Sequence, residues 1–274
     1  MERTKKIEPT EQTAQMKGAI IITGASRGIG RAIALLAAKA GHDVCFTYEK
    51  DAASAAEVVA QIQQLGRKAL ALKVDLGDLG QVRELFNQVD LHFPLLHGLV
   101  NNAGIIGERG NLLSISAQSV QRVFEVNVLG LIECCRQFIV RVSDNQTSQI
   151  RKLGGSGGIV NLSSGSAQDG APFSYIPYGA SKAAVETFSI GLSKELGEKG
   201  IRVNVVSPGV TDTDIHHPDG QRKPMDAVAQ SIAMRRLGQP SEIAEAVMWL
   251  LSDSASYVSG AVLRVAGGGR MVKR

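Results

Sequence analysis

Short apolar runs of β-strand character alternate with longer stretches of helical periodicity along most of the chain, and this alternation is what most limits the fold. The strand-like runs are residues 19–23, 43–48, 68–74, 98–101, 158–163, 201–207 and 261–265. Several are apolar on both faces, which is typical of parallel strands covered by helices on each side. The intervening stretches are long enough for crossover helices, so we predict an α/β fold with one doubly wound sheet of about seven parallel strands.

The composition fits a single layered domain. The 274 residues are 44% hydrophobic but only 4% aromatic and include 30 glycines, which favours a core of small aliphatic side chains crossed by many tight turns. No internal domain boundary is visible. We therefore predict a polar N-terminal arm at residues 1–17 and one domain at residues 18–274, with the polar residues 143–158 as a surface loop.

Charge and cysteine usage exclude several classes of protein. Part of the net charge of +4 lies at the chain ends, and no basic cluster with aromatic residues occurs, so no nucleic-acid partner is predicted. No segment resembles a signal peptide or is long enough to span a bilayer, which predicts a cytoplasmic protein without membrane association. Cys45, Cys134 and Cys135 form no disulfide framework and are interpreted as buried, reduced thiols.

A glycine-rich stretch, "TGASRGIG", follows the first predicted strand and precedes a helical pattern. Gly24, Gly28 and Gly30 would let the backbone approach a pyrophosphate, whose charge the first amides of the helix stabilise. Their spacing, Gly-x3-Gly-x-Gly, differs from the Gly-x-Gly-x-x-Gly of most dinucleotide folds, and the alternative is a bare turn. The context of strand, turn and helix favours dinucleotide binding.

The end of the second predicted strand indicates which dinucleotide binds. A carboxylate there accepts hydrogen bonds from the adenosine 2′-hydroxyl and repels a 2′-phosphate. This position holds Tyr48, whereas Arg27 and Lys50 offer positive charge for a phosphate. NADP(H) is therefore predicted, with NAD(H) as the alternative because Glu49 would reach the ribose after a small shift of register.

Two tyrosines precede one lysine in "SYIPYGASK". Tyr178 lies four residues before Lys182, so both side chains share one face of a helix. Tyr175 precedes Pro177, which is well placed in the first turn of a helix, so Tyr175 is predicted to lie in the preceding loop. A nearby ammonium lowers the pKa of a phenol from about 10, which suits Tyr178 to proton exchange with an alcohol or a carbonyl.

Six motifs occur in this order along the chain: "TGASRGIG", "NNAG" (101–104), "VNVLG" (126–130), "IVNLSSGS" (159–166), "YGASK" (178–182) and "SPGVTDT" (207–213). They resemble those of the classical short-chain dehydrogenase/reductase family over about residues 18–269. The resemblance implies a Rossmann-type fold and oxidoreductase activity with a nicotinamide cofactor.

The resemblance also implies catalytic roles. Tyr178 would be the general acid in reduction and the base in oxidation, with Lys182 lowering its pKa and holding the nicotinamide ribose. Ser164 would hydrogen-bond the substrate oxygen, and Asn127 would position a water behind Lys182.

The expected cofactor site joins the glycine loop to the ends of several strands. Asp75 would meet the adenine, and residues 102–104 would support the cofactor. The predicted cofactor-binding residues are Gly24, Ser26, Arg27, Gly28, Ile29, Gly30, Tyr48, Asp75, Leu76, Asn102, Ala103, Gly104, Tyr178, Lys182, Pro208, Gly209 and Thr211.

Two features depart from the family pattern. Ser164 and Tyr178 are fourteen residues apart rather than the usual thirteen, so either the loop carries an extra residue or another serine serves. Ser164 is preferred because Ser163 should point to the other face of the strand and Ser166 lies beyond its end. The second departure is Ala266, where the family often has an acidic residue; it is expected to affect C-terminal packing rather than chemistry.

Other residues carry weaker signals. His216 and His217 have no further ligand at metal-binding spacing, so no metal site is predicted. Trp249 is expected in the core or in a subunit interface. Residues 211–236 are interpreted as a solvated loop, containing Asp212, Asp214, Asp219, Arg222 and Lys223, that could close over the substrate. By resemblance, the helices containing Asn127 and Tyr178 pair between subunits, which predicts a homotetramer, with a homodimer as the alternative.

Together these features predict an NADP(H)-dependent oxidoreductase that interconverts a secondary alcohol and a ketone, with reduction preferred. A 3-oxoacyl thioester reductase and a sugar or polyol dehydrogenase are both compatible with the sequence. A cofactor-binding regulator or scaffold without turnover is the alternative from another class. Retention of all four catalytic residue types argues against it.

Overall fold

The seven predicted strands form one sheet in which every neighbouring pair is parallel, in the order β3-β2-β1-β4-β5-β6-β7. The computed structural model describes residues 17–143, 157–213 and 225–269. The strands are β1 (Lys17–Ile22), β2 (His42–Tyr48), β3 (Ala69–Lys73), β4 (Leu96–Asn101), β5 (Gly158–Leu162), β6 (Arg202–Pro208) and β7 (Val262–Val265). The predicted α/β fold is confirmed, and β1 begins at Lys17, the last residue of the predicted arm.

Helices connect the strands and cover both faces of the sheet. They are α1 (Gly28–Lys39), α2 (Ala52–Gln64), α3 (Leu79–His92), α4 (Ala117–Phe124), α5 (Leu131–Arg141), α6 (Ser166–Asp169), α7 (Ile176–Leu196), α8 (Asp226–Ser231) and α9 (Pro240–Leu251). Between α4 and α5, Glu125–Gly130 forms a π-helical turn, a feature that is frequent at functional sites.

Two apolar cores lie on opposite faces of the sheet. One core packs α3, α5 and α7 against residues such as Ile21 and Ile159, and the other packs α1, α2 and α9 against residues such as Ile20 and Val160. Neighbouring residues of one strand thus enter different cores, as the twofold alternation of a strand requires. This explains why successive residues of the strands are apolar in the sequence.

The strand order places a crevice at a defined edge of the sheet. The chain runs outward from β1 through β2 to β3, then returns to β4 on the other side of β1. In open α/β sheets, ligands bind where the order reverses, beyond the carboxyl ends of the strands. The loops after β1 and β4 meet at this point.

Candidate active site

The loop after β4 supports the glycine loop after β1. The Thr23 hydroxyl accepts hydrogen bonds from the backbone N–H groups of Asn102 and Ala103, both at 3.0 Å. The Asn102 amide donates to the carbonyls of Thr23 and Gly24 at 2.9 and 2.8 Å. The "NNAG" motif therefore fixes the shape of the glycine loop at the sheet reversal.

The glycines of this loop meet distinct steric requirements. Gly24 and Gly28 adopt φ of 67° and 57°, a region that favours residues without a Cβ. A Cβ on Gly30 would overlap the carbonyl oxygen of Gly24 and lie 2.6 Å from the Asn102 amide nitrogen. The first turn of α1 contains no acidic residue, and its N-cap, Arg27, makes no side-chain cap. These features make a compact backbone cradle suited to an anion at a helix N-terminus.

Charged residues lie beyond the end of β2, where the adenosine ribose is expected. Lys50 is largely exposed and pairs with Glu49 at 3.8 Å. Asp51 caps α2 and accepts hydrogen bonds from the backbone and side chain of Ser54. Those hydrogen bonds lower the pKa of Asp51, and the positive charge of Arg27 contributes in the same direction. The two positive charges predicted to meet a 2′-phosphate thus each lie near a carboxylate, Arg27 near Asp51 and Lys50 near Glu49.

Asp75, the predicted adenine residue, follows β3 and already has two partners. Its carboxylate accepts a hydrogen bond from the Arg122 guanidinium at 2.5 Å and another from the Gly77 backbone at 2.9 Å. Arg122 comes from α4, 47 residues away in the chain, and sequence reasoning missed it. Leu76 is buried beside Gly130 of the π-helical turn, where a Cβ would overlap the Leu76 carbonyl.

The predicted serine and tyrosine meet at the end of β5. Helix α7 begins at Ile176 with Tyr175 as its N-cap, so Tyr178 lies in the first helical turn and Tyr175 outside it, as predicted. The Ser164 hydroxyl forms a hydrogen bond with Tyr178 that lowers the pKa of the phenol. Burial raises that pKa by more, so the net shift is upward. The direction differs from the lowered pKa expected from the sequence because burial dominates.

Lys182 lies one turn beyond Tyr178 and is almost completely buried. Its ammonium donates to the carbonyl oxygen of Leu162 at 2.8 Å and lies 5.8 Å from the centre of the Tyr178 ring. Burial lowers the pKa of Lys182 to about 8. The lysine is therefore held under the tyrosine by the end of β5.

Asn127 connects three parts of the site. Its side-chain oxygen accepts from the Ile105 backbone and its amide donates to the Ile105 carbonyl, both at 2.9 Å. The same amide donates to the Ser181 hydroxyl at 3.0 Å, and Ser181 donates to the Tyr178 carbonyl. A Cβ on Gly104 would lie 3.2 Å from the Asn127 oxygen and 3.3 Å from the Lys182 ammonium. The loop after β4 thus packs closely on both residues.

Ser163 contacts α7 at a later position than Ser164 does. Its hydroxyl donates to the Glu186 carboxylate at 2.7 Å and to the Lys182 carbonyl at 3.3 Å. Sequence reasoning missed Glu186, although its position four residues after Lys182 on the same helix face was a usable signal. These bonds attach the end of β5 to α7 and hold Ser164 opposite Tyr178.

The extra residue between Ser164 and Tyr178 is accommodated in the loop. Helix α6 is followed by its C-cap, Gly170, with φ of 70°, and Ala171 and Phe173 also have positive φ values of 45° and 60°. Ser164 still reaches Tyr178, so the geometry agrees with an inserted loop residue rather than with another serine.

The end of β6 borders the site on its far side. The Pro208 carbonyl accepts from the Gly165 backbone, and the Thr211 hydroxyl donates to the Gly209 carbonyl at 3.1 Å. A Cβ on Gly209 would lie 2.8 Å from the Cα of Ala266, so Ala266 packs directly against this strand end. Thr213, which was not singled out from the sequence, has its methyl group 3.5 Å from the position of a Cβ on Gly28.

The remaining candidates have simpler outcomes. Cys45, Cys134 and Cys135 are buried free thiols, as predicted, and burial raises the pKa of Cys45 to about 12. Trp249 is 42% exposed, which excludes the predicted core position and leaves the interface alternative as a prediction. His216, His217, Asp214, Asp219, Arg222 and Lys223 lie outside the described residues. The surface loop predicted at 143–158 also lies mostly outside them.

Comparisons with known proteins match most of the chain. A relative from Escherichia coli (strain K12), named "Uncharacterized oxidoreductase YgfF", is 43% identical over 249 residues, which cover 90% of this chain and 98% of the relative. A family profile described as "Enoyl-(Acyl carrier protein) reductase" matches residues 24–269. A short-chain dehydrogenase from Burkholderia cenocepacia, solved in complex with NADP, has a TM-score of 0.80 and 35% identity, covering 93% of this chain and 98% of that one.

The chain belongs to the short-chain dehydrogenase/reductase family. The predicted resemblance is confirmed, and the function class is that of an oxidoreductase. A further family structure, described as an NADH-dependent reductase responsible for alginate metabolism, has a TM-score of 0.81 and 26% identity, covering 94% of this chain and 99% of that one. Within the part of the chain that the structure describes, no helix is long and apolar enough to cross a membrane.

Proposed function

We propose that this short-chain dehydrogenase/reductase uses NADP(H) to interconvert a secondary alcohol and a ketone, mainly in the direction of reduction. The hydrogen-bonded hydroxyls of Ser164 and Tyr178, above the buried ammonium of Lys182, carry the proposal. They lie at the same edge of the sheet as the glycine loop, so a substrate oxygen and a dinucleotide would meet there.

Each side chain has a chemical task in this proposal. Burial raises the pKa of Tyr178, so its hydroxyl carries a proton at neutral pH and donates it to the substrate oxygen. Ser164 hydrogen-bonds the same oxygen, and the ammonium of Lys182 stabilises the phenolate as it forms. Asn127 positions a relay water behind Lys182. In oxidation the proton moves in the reverse direction.

The glycine loop fits the pyrophosphate of a dinucleotide because its glycines place no side chains over the backbone and α1 begins within it, at Gly28. When bound, the nicotinamide supplies or accepts the hydride. The proposed contacts extend along the strand ends and are those of Gly24, Ser26, Arg27, Gly28, Ile29, Gly30, Tyr48, Asp75, Leu76, Asn102, Ala103, Gly104, Tyr178, Lys182, Pro208, Gly209 and Thr211. Arg122 orients Asp75 for the adenine.

Replacing Gly30 with Ala should weaken NADPH binding by about tenfold or more. The added methyl group overlaps the Gly24 carbonyl and forces the loop apart, and such overpacking costs roughly 1–3 kcal/mol. Gly191→Ala is the matched control, because a Cβ there meets nothing within 4 Å. Titration of NADPH fluorescence measures both affinities. Equal binding by the two variants would contradict the assignment of the cradle.

The preference for NADP(H) over NAD(H) rests on the charges around the ribose position. Tyr48 replaces the carboxylate that would repel a 2′-phosphate, and Arg27 is exposed at the mouth of the glycine loop. The NADP complex of the Burkholderia cenocepacia protein supports this choice, and the NADH-dependent relative is the reason to test it.

Replacing Arg27 with Gln should reduce the preference for NADPH over NADH by about tenfold. A hydrogen bond to a charged group contributes roughly 1.5–3 kcal/mol, and NADH has no 2′-phosphate to lose it. The measurement is kcat/KM for each cofactor at saturating substrate. Arg31→Gln, which removes the same charge further along α1, should leave the ratio within about twofold. An unchanged ratio in the Arg27 variant would place phosphate recognition elsewhere.

The activity itself is tested by following NADPH and NADH oxidation with a panel of simple ketones, 3-oxoacyl thioesters and keto sugars. Turnover of any ketone with NADPH supports the proposal, and the panel separates a thioester reductase from a sugar or polyol dehydrogenase. A protein that binds NADPH but turns over no carbonyl compound would instead be a regulator or scaffold.

We also propose a cytoplasmic homotetramer, with a homodimer as the alternative. Leu129 and Val140 expose apolar surface on the π-helical turn and α5, and Trp249 does so on α9. In the proposed assembly, contacts between subunits would cover these side chains. Light scattering would contradict this by giving the mass of the single 29.0 kDa chain.

A further inference from the structure

Four apolar side chains are exposed on two segments that flank the catalytic residues. Leu112 and Leu113 follow β4, whereas Phe173 and Ile176 lie between β5 and the first turn of α7. Leu113 and Phe173 are 102% and 82% exposed, and Leu112 and Ile176 are 60% and 37% exposed. We call these four residues the apolar rim. Both segments begin at the carboxyl ends of adjacent strands, which is the edge of the sheet that holds Ser164 and Tyr178.

Phe173 is held outward by a turn with a defined hydrogen-bond pattern. Its φ of 60° is unfavourable for a residue with a large side chain. The turn persists because Ala171 accepts from the backbones of Ser174 and Tyr175 at 3.3 and 3.0 Å, while Asp169 accepts from the Ala171 backbone at 2.9 Å. The fold thus maintains an unfavourable conformation that exposes an aromatic ring.

This turn is fixed to both the catalytic helix and the neighbouring loop. A Cβ on Gly179, the residue after Tyr178, would lie 2.8 Å from the Ser166 carbonyl, so α6 packs directly on α7. The Gly110 backbone donates to the Ser174 carbonyl at 2.9 Å, which ties the loop carrying Leu112 and Leu113 to the loop carrying Phe173. The rim therefore has a fixed relation to the catalytic tyrosine.

Acidic side chains of the two segments are engaged with their own backbone. Glu108 accepts from the backbone and hydroxyl of Ser116 at 2.8 and 2.9 Å. Asp169 accepts from Ala171, as described above. Neither carboxylate needs a ligand to satisfy it, so these segments present the four apolar side chains and the exposed Arg109 to a bound molecule.

We infer that the apolar rim binds the hydrocarbon part of a ketone substrate, with Phe173 and Leu113 as its main contacts. This inference rests on the proposed function and narrows its substrate class to ketones with an apolar chain or ring, rather than keto sugars. The position of Phe173 between Ser164 and Tyr178 in the chain favours the substrate over a second subunit as the occupant. In this inference, the hydrocarbon part of a ketone whose carbonyl is held by those two hydroxyls would lie against the rim.

A homologous series of methyl ketones tests the inference. Each added methylene that leaves water should raise kcat/KM by about two- to fourfold with the wild-type protein and NADPH. Phe173→Asn should flatten this dependence, because asparagine tolerates the same φ but offers no apolar surface. Phe173→Leu should retain most of it. Tyr257→Asn, which removes an exposed aromatic side chain preceding β7, should leave the dependence unchanged.

The outcomes separate this inference from the proposed function. No turnover of any ketone would overturn both. Turnover that does not depend on chain length, or a dependence that survives in Phe173→Asn, would overturn the inference alone. A preference for keto acids over neutral ketones would also overturn it and would assign recognition to the exposed Arg109. If Phe173→Asn changes the mass by light scattering instead of the chain-length dependence, the rim is a subunit contact and the inference is wrong.

Discussion

Replacing Tyr178 with Phe should lower kcat/KM for ketone reduction by about 10²–10⁴-fold while NADPH still binds. This is the range that a positioned general acid contributes. The substitution removes one oxygen from a partly buried ring and leaves the packing of α7 intact. Ser164 loses its hydrogen-bond partner, but the glycine loop and the strand ends are unchanged. NADPH oxidation gives the rate, and NADPH fluorescence gives the affinity.

The chain provides a matched control for this substitution in Tyr175. Tyr175→Phe removes the same hydroxyl group three residues earlier, from the N-cap of α7 rather than from its first turn. It should change kcat/KM by no more than about threefold, because Tyr175 is not the hydrogen-bond partner of Ser164 in the described site. If Tyr175→Phe abolishes turnover and Tyr178→Phe does not, the roles of the two tyrosines must be exchanged.

The same pair of tyrosines shows what local sequence can determine. Pro177 fixes where the helix begins, so the choice of Tyr178 follows from backbone sterics within a few residues. The seven strands could equally be predicted from the sequence, since an apolar run between helical stretches has few other structural interpretations. Their ends differ by up to two residues because hydrogen bonding to neighbouring strands, rather than propensity, decides where pairing stops.

Features that depend on distant residues could not be predicted. Arg122 reaches Asp75 because the π-helical turn and α4 place it there, and nothing near Asp75 in the sequence signals that contact. The positive φ of Phe173 is maintained by hydrogen bonds within an irregular turn, whereas bulky residues ordinarily avoid that conformation. The upward shift in the pKa of Tyr178 likewise depends on burial, which only the packed site defines. The local sequence pattern thus identified the candidate catalytic residues, and tertiary packing determined the environment of their side chains.

Mild acid should destabilise the protein through a histidine pair at the opposite edge of the sheet. The rings of His42 and His97 lie 4.4 Å apart between their centres. His42 Nδ1 hydrogen-bonds the Gly18 carbonyl at 2.9 Å, and His97 Nε2 hydrogen-bonds the Leu251 carbonyl at 3.3 Å. Burial lowers the pKa of His97 from 6.5 to about 4, with the adjacent His42 adding to the effect, and burial also lowers the pKa of His42.

The surrounding charges do not reverse this shift. Lys17 lowers the pKa of both histidines, and Arg67 lowers that of His42. Asp43 raises the pKa of His42 and Asp253 raises that of His97, but burial exceeds both effects. The described groups around the pair therefore favour two neutral rings in the folded protein.

The sign of the pH effect follows from which state binds more protons. Above pH 6.5 His97 is neutral in both the folded and the unfolded chain, so it adds no pH dependence to the free energy of unfolding. As the pH falls from 6.5 towards 4, the unfolded chain binds a proton that the folded protein excludes, so the free energy of unfolding decreases. For His97 alone the loss should reach about 2 kcal/mol near pH 5.

His97→Gln isolates this contribution, because glutamine can still donate to the Leu251 carbonyl but cannot bind a proton. Urea unfolding should show that the wild-type protein loses about 2 kcal/mol more than the variant between about pH 8 and about pH 5. His92→Gln removes an exposed imidazole and should behave as the wild type does. An equal loss in wild type and His97→Gln would mean that His97 is protonated in the folded protein, and carboxylates would then account for the acid sensitivity.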